Sequence, residues 1–194
     1  GDVYKRQAYT VKIRAVNANG SGTASTGSSS TPRTVPDAPT GVTATPAASA
    51  TLTISWTAPA NNGGNAVTAY KVERSTDNST WTVLSSTVAT LTYSSASLTN
   101  GTLYYYRVSA TNAAGFGATS TVASGTPRTV PGAPTTVSAS RTDSTTASIS
   151  FVAPVSNGGN AITSYVVTPY IGATAQATTS GASSPITVSG LTTG

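Results

Sequence analysis

The chain of 194 residues has no cysteine and no histidine. No disulfide can form, the common nucleophile–base pairs are missing, and most transition-metal sites lose their ligands. Acids are scarce as well: Asp2, Asp37, Glu73, Asp77 and Asp143 are the five present, and they lie far apart. Glu73 and Asp77 share a hairpin, where both are expected to project into water rather than form a glycosidase dyad, which needs a cleft and one raised pKa. No apolar run reaches the 18 residues a spanning helix requires, and no signal peptide or lipidation motif is present. Nor is there a nucleophile elbow, a phosphate loop or an acidic calcium loop; Gly115-Phe116-Gly117 is read as turn geometry. The expectation is a non-enzyme with no cofactor, no metal site and no catalytic residue.

Net charge is +5, from ten basic residues. They are scattered, with no run able to neutralise several phosphates together, so nucleic acid is not an expected partner. This segment is not expected to touch a membrane either.

What the sequence does hold is serine and threonine, 66 residues in all, with nine tyrosines, two tryptophans and many β-branched residues at fixed spacings. That pattern argues against disorder and for strands whose solvated faces are neutral. Ser29 to Thr40 returns at Ser124 to Thr135 with ten of twelve residues identical, an offset of 95. The same offset aligns Tyr9 with Tyr104, Asn17 with Asn112 and Trp56 with Phe151. A period of this length is a domain repeated in tandem, since it can close its own core. The phase implies one complete module over 35–128, the last two strands of another over 1–34, and the first five strands of a third over 129–194. The chain therefore reads as a piece of a longer protein.

Turn chemistry divides the middle module into seven short strands. They are expected at Thr40–Thr45, Ala50–Thr57, Ala66–Arg74, Thr80–Leu84, Thr90–Ala96, from Tyr104, and at Ala118–Ser124. Leu52, Ile54 and Trp56 alternate with Thr51, Thr53 and Ser55; Tyr70 and Val72 share a face; Leu91 alternates with Tyr93. Tyr104, Tyr106, Val108 and Ala110 are expected inward, and Tyr105, Arg107 and Ser109 outward. Seven such strands predict an antiparallel β-sandwich, and no stretch shows helical periodicity.

Trp56, Tyr70-Lys71-Val72 and the run Leu98-Thr99-Asn100-Gly101-Thr102-Leu103-Tyr104 resemble fibronectin type III domains. The resemblance implies an all-β, immunoglobulin-like fold of tandem seven-stranded sandwiches, one complete and two truncated. It implies structural roles for Trp56, Tyr70, Leu98 and Tyr104, with Phe151 and Tyr165 their counterparts in the third module. It includes a tyrosine corner at Tyr104, from which Asn100 departs because proline is usual there. Bacterial members are the most similar, through linkers like Thr126 to Pro134 and turns like Asn157 to Thr163.

In the outer modules Tyr9, Val11, Ile13 and Ala15 repeat the inward set, and Ile149, Phe151, Tyr165 and Val167 repeat the other half. A change of offset to 93 at Leu191 implies a two-residue deletion after the third strand. Gly1 to Gln7 depart from the repeat, which expects Gly at position 6 and Thr at 7; adapter-derived or native origin both stay open. The first 30 residues are expected to be less ordered than the middle module. Residues 135–194 of one molecule are expected to accept 8–31 of another.

Trp81, Tyr105 and Phe116 are the candidate ligand contacts. Trp81 and Tyr105 have the rings to stack on a sugar face, but are expected instead to half-bury on Lys71 or Tyr70 and to pair across strands. Phe116 is expected to meet a neighbouring module. The loop Asn112 to Gly117 carries no Arg-Gly-Asp, so the resemblance transfers no receptor adhesion. Asn62-Gly63 and Asn157-Gly158 read as ordinary turn dipeptides.

The function expected is a non-catalytic spacer or rod in a larger secreted or cell-surface protein, its partners the neighbouring repeats. The alternative is an adhesion or polysaccharide-binding accessory module of a secreted bacterial hydrolase or adhesin, with a cell-wall or other polysaccharide or a surface protein as partner.

Overall fold

A computed structural model of the chain describes residues 7–192; the departure from the repeat over Gly1 to Arg6, and the last two residues of the third module's corner, lie outside them. Every regular element among the described residues is a strand. The chain falls into two compact units, one of Gly1–Thr45, Leu52–Ser95 and Leu103–Gly125, the other of Pro46–Thr51, Ala96–Thr102 and Thr126–Gly194.

The first unit opens with β1 (Tyr9–Val11), β2 (Val16–Asn17), β3 (Gly20–Ser21) and β4 (Ser28–Ser30). It continues with β5 (Thr40–Pro46), β6 (Leu52–Thr57), β7 (Ala69–Ser75), β8 (Thr82–Val88) and β9 (Thr92–Ser95). The series ends with β10 (Tyr104–Asn112), β11 (Gly115–Thr119) and β12 (Ala123–Gly125). One sheet has the order β5-β6-β9; the other runs β11-β10-β7-β8, with β12 also on β10. All pairings are antiparallel where register is defined.

Period-two alternation accounts for the core between the sheets. Leu52, Ile54 and Trp56 of β6, Tyr70 and Val72 of β7, and Tyr106, Val108 and Ala110 of β10 are buried. Trp56 meets Tyr70 edge-on, ring centroids 5.3 Å apart, an arrangement that contributes about 1 kcal/mol beyond area burial. The Tyr106 hydroxyl finds Ser95 Oγ at 2.9 Å, which satisfies a polar group inside the core.

Four expectations are corrected. Leu91 is exposed and lies outside β9; only its carbonyl is used, accepting from Trp56 N–H. Trp81 precedes β8 rather than sitting within it. Ser109 is buried although it faces outward, because this small side chain stands opposite Lys71 and between larger neighbours on the same face. The last strand is split, since Ser120 Oγ accepts from Val108 N–H and so replaces a ladder partner across a register shift.

The repeat is written into the registers. β1 pairs β4 through Tyr9–Ser30 and Val11–Ser28, as β10 pairs β12 through Tyr104–Gly125 and Tyr106–Ala123. In the second unit, β13 (Thr135–Arg141), β14 (Ala147–Val152) and β19 (Ile186–Val188) form a three-stranded sheet. Between these in sequence lie β15 (Tyr165–Val167), β16 (Tyr170–Ile171), β17 (Thr174–Ala175) and β18 (Thr179–Gly181), paired β15-β18 and β16-β17. Ile149 pairs Ile186 where Ile54 pairs Tyr93, which is the register a two-residue deletion requires. Phe151 and Tyr165 keep the ring contact of Trp56 and Tyr70, at 4.6 Å.

Candidate functional site

The three candidate contacts share the outer face of the β7–β10 sheet. Register decides this. Arg107 lies directly opposite Glu73, Ser109 opposite Lys71 and Tyr105 opposite Ser75, so these side chains project together away from the core. Phe116 of β11 pairs Thr111, two residues beyond Ser109 and on the same face.

Glu73 is the centre of the face and is 5% exposed, contrary to the expectation that it projects into water. Its carboxylate accepts from Arg107 Nε at 3.1 Å and Nη2 at 3.2 Å, while Lys71 Nζ stands 3.5 Å away. Alternation puts Glu73 on the solvent side; the cations and rings around it then exclude the solvent. Burial pushes the Glu73 pKa up, but the Arg107 hydrogen bonds and the charges of Lys71 and Arg107 outweigh it and hold the carboxyl below its ordinary value. It is an ionised acceptor, the opposite of a poised general acid.

Both cations are also capped by rings. The Arg107 guanidinium lies 4.3 Å from the Trp81 ring centroid, and Lys71 Nζ 5.3 Å from that of Phe116. Trp81 is half-buried against Arg107, rather than against Lys71 or Tyr70 as expected, so one of its faces is already occupied. Tyr105 is half-buried and Phe116 is 44% exposed. The face gathers all three aromatic candidates through the chain Lys71–Glu73–Arg107. The ion network was missed in the sequence, although Lys71 and Glu73 two apart on one strand are its visible half.

Asp77 is exposed on the β7–β8 turn and accepts from Ser75 Oγ, Ser79 N–H and Thr80 N–H. The backbone donors hold its pKa well below the usual carboxylate range. Among the described residues no three of His, Cys, Asp and Glu gather as a metal site.

Of the residues assigned structural roles, Trp56, Tyr70, Leu98 and Tyr104 are buried, and Phe151 and Tyr165 half-buried. The Arg74 guanidinium covers Tyr104, 5.3 Å from its centroid. Asn100 uses the side chain a proline lacks: Oδ1 accepts from Ala50 N–H at 2.8 Å and Nδ2 donates to Ser49 Oγ at 3.1 Å.

A second built feature is the seating of the linker. Thr34 N–H donates to Gly63 O and Asp37 N–H to Asn61 O, tying the proline-rich segment to the Asn61–Asn65 turn. Buried Asn112 donates from Nδ2 to Thr34 O at 2.9 Å and to Asn62 O at 2.7 Å. Gly63, at φ +72°, approaches the Thr34 carbonyl so closely that a methyl would overlap it. In the second unit the device recurs: Thr129 N–H donates to Gly158 O and Gly132 N–H to Ser156 O, with Gly158 again at φ +72°.

Two facing antiparallel sheets, with Trp56 against Tyr70 at their centre, define a β-sandwich domain of the immunoglobulin-like kind. Within the chain, residues 37–126 are a fibronectin type III domain by their match to that family. Such domains are typically structural spacer modules in multidomain proteins, and the fold is generally non-catalytic. Titin of Drosophila melanogaster is 38% identical over 87 residues, which is 44% of this chain and 0% of titin's length to the nearest per cent. A crystal structure of domains from titin is 26% identical with TM-score 0.47, over 52% of this chain and 36% of that one. That of chicken CNTN1 FN1-FN3 domains is 22% identical with TM-score 0.45, over 96% and 66%. A Fn3-like protein from Clostridium thermocellum is 25% identical with TM-score 0.43, over 51% and 100%.

Proposed function

We propose that this chain is a non-catalytic spacer segment of a larger secreted or cell-surface protein, in which successive modules hold other domains apart. The observation that carries the reading is the twofold seating of the linker on the Asn61–Asn65 and Ser156–Asn160 turns. A flexible tether would leave such a segment solvated; here prolines fix φ and backbone hydrogen bonds fix the path, favouring a stiff connection. Neighbouring repeats of the same chain are its partners, nucleic acid and membrane are not, and 1–34, 35–128 and 129–194 are its modules. The bacterial source rests on the sequence resemblance alone.

The second reading, an adhesion or polysaccharide-binding module, is favoured by one observation: Trp81, Tyr105 and Phe116 share a face. Immobilising the chain and offering cell-wall glycans, chitin and cellulose separates the two. The spacer reading expects no retention. Retention abolished by Trp81→Ala or Tyr105→Ala would replace it with the binding reading.

A further inference from the structure

The Asn157–Asn160 turn touches more than its own linker. Within the second unit, Gly101 of the corner run Leu98–Thr102 sits against Gly159, backbone to backbone. A Cβ built on Gly159 would stand 2.5 Å from the Gly101 nitrogen, and one on Gly101 would stand 3.2 Å from the Gly159 Cα. Both residues lie at φ +84°, where side chains are rarely tolerated. The linker closes the third side: Gly101 N–H donates to Pro127 O at 3.0 Å, Pro127 is fully buried, and Thr129 and Gly132 bond the turn.

Corner, linker and turn thus form one hydrogen-bonded joint across the repeat boundary. From this we infer that the Asn-Gly-Gly-Asn turn is an interaction surface whose partner is the corner of the preceding repeat, and that the Gly101–Gly159 seat fixes how one repeat is oriented on the next. The inference deepens the spacer reading and rests on it for its purpose. The sequence carries the same logic in reverse at the earlier boundary. The counterpart of Gly159 is Gly64, also at φ +84°, and its nearest built contact is Pro32 O at 3.7 Å. The counterpart of Gly101 is position 6, which is arginine and lies outside the described residues. A turn glycine without an opposing corner glycine is therefore a matched control inside the same molecule.

The absence of cysteine makes the test direct. Ser79→Cys and Ala173→Cys, both on exposed turns, place one spin label on each side of the joint in the full chain. The parent chain is expected to give a single narrow distance distribution by pulsed electron resonance. Gly159→Ala and Gly101→Ala are expected to broaden and shift it, because each drives a methyl into the seat. Gly64→Ala brings the same positive-φ strain without the overlap and is expected to leave the distribution unchanged. If Gly159→Ala unfolds its own module, seen as loss of that module's amide signals, Gly101→Ala decides, since its methyl comes from the opposite partner. A broad distribution in the parent, no change in Gly101→Ala, or equal broadening in Gly64→Ala overturns the inference. Glycan retention would remove the spacer reading while leaving a narrow distribution intact, so the two failures are distinguishable.

Discussion

Glu73 and Arg107 face each other across β7 and β10, joined by two hydrogen bonds, yet they are unequally buried: their side chains are 7% and 28% exposed. The asymmetry sets what each truncation costs. Arg107→Ala strands the more buried charge with Lys71 alone and uncovers the Trp81 ring. Glu73→Ala leaves two cations that can still reach water. We expect Arg107→Ala to destabilise the middle module by about 2–3 kcal/mol and Glu73→Ala by about 1–2 kcal/mol, after allowance for partial exposure. The double variant is expected to cost less than the sum, because the residues share one interaction. Urea unfolding followed by tryptophan fluorescence reads this module alone, since Trp56 and Trp81 are the only tryptophans. Equal costs, or the reverse order, would refute the account.

The same pair predicts a pH dependence. Glu73 is depressed in the folded chain, so over the window below its ordinary value the unfolded state binds more protons than the folded one. Its contribution is fully present above about pH 4.3, the ordinary carboxyl value, and is lost as pH falls through the folded pKa. Stability should therefore drop on acidification, and Glu73→Gln should flatten that drop. The flattening will be partial, because Asp77 is depressed by its backbone donors in the same direction. Urea midpoints at several pH values measure it; parallel curves for parent and variant would contradict the assignment.

Period-two alternation made the core legible: Leu52, Ile54 and Trp56, then Tyr106, Val108 and Ala110, need only their own strands to be read as a buried stripe. The fate of Glu73 was not legible for the opposite reason. Its burial depends on Arg107, 34 residues away, and on a Trp81 ring held by a turn, so it follows from register. Ser109 is the same case, a polar residue covered by neighbours that only pairing brings beside it. The linker seat escaped notice because Asn-Gly is so common in turns that nothing local separates a receptor from a bend.

Ala50 sits at φ +56°, in the left-handed region, and its N–H is held by Asn100 Oδ1. Alanine there costs about 1 kcal/mol relative to glycine, while the extra freedom glycine gives the unfolded chain offsets part of that gain. Ala50→Gly is expected to raise stability slightly, by up to about 1 kcal/mol. Asn100→Pro, which restores the residue usual in the resemblance, is expected to lower it by about 1–2 kcal/mol, because the Ala50 N–H then loses its partner. Thermal unfolding of the two variants tests the pair. A stabilising Asn100→Pro would show that the corner depends on backbone stiffness and not on this hydrogen bond.

The exposed hairpin of the first unit supplies the last prediction. Val11 and Ile13 are 62% and 73% exposed, while their counterparts Tyr106 and Val108 are fully buried over Tyr70 and Val72. In the second unit, Ile149, Phe151, Tyr165 and Val167 line an open cavity of about 400 Å³, and β15 is paired on one side only. An unpaired strand beside an open apolar face is a template for another strand. The β1–β4 hairpin of a second copy has the matching period and the matching register. Such a contact joins two different surfaces and does not close on itself, so association should give open chains whose length grows with concentration. Light scattering should show apparent mass rising with concentration, and Ile13→Asp should return it to the monomer by placing a charge where the inward stripe would dock. A strict monomer at the highest soluble concentration would mean that the two half-cores, though complementary in register, gain too little on pairing to offset the ordering it demands.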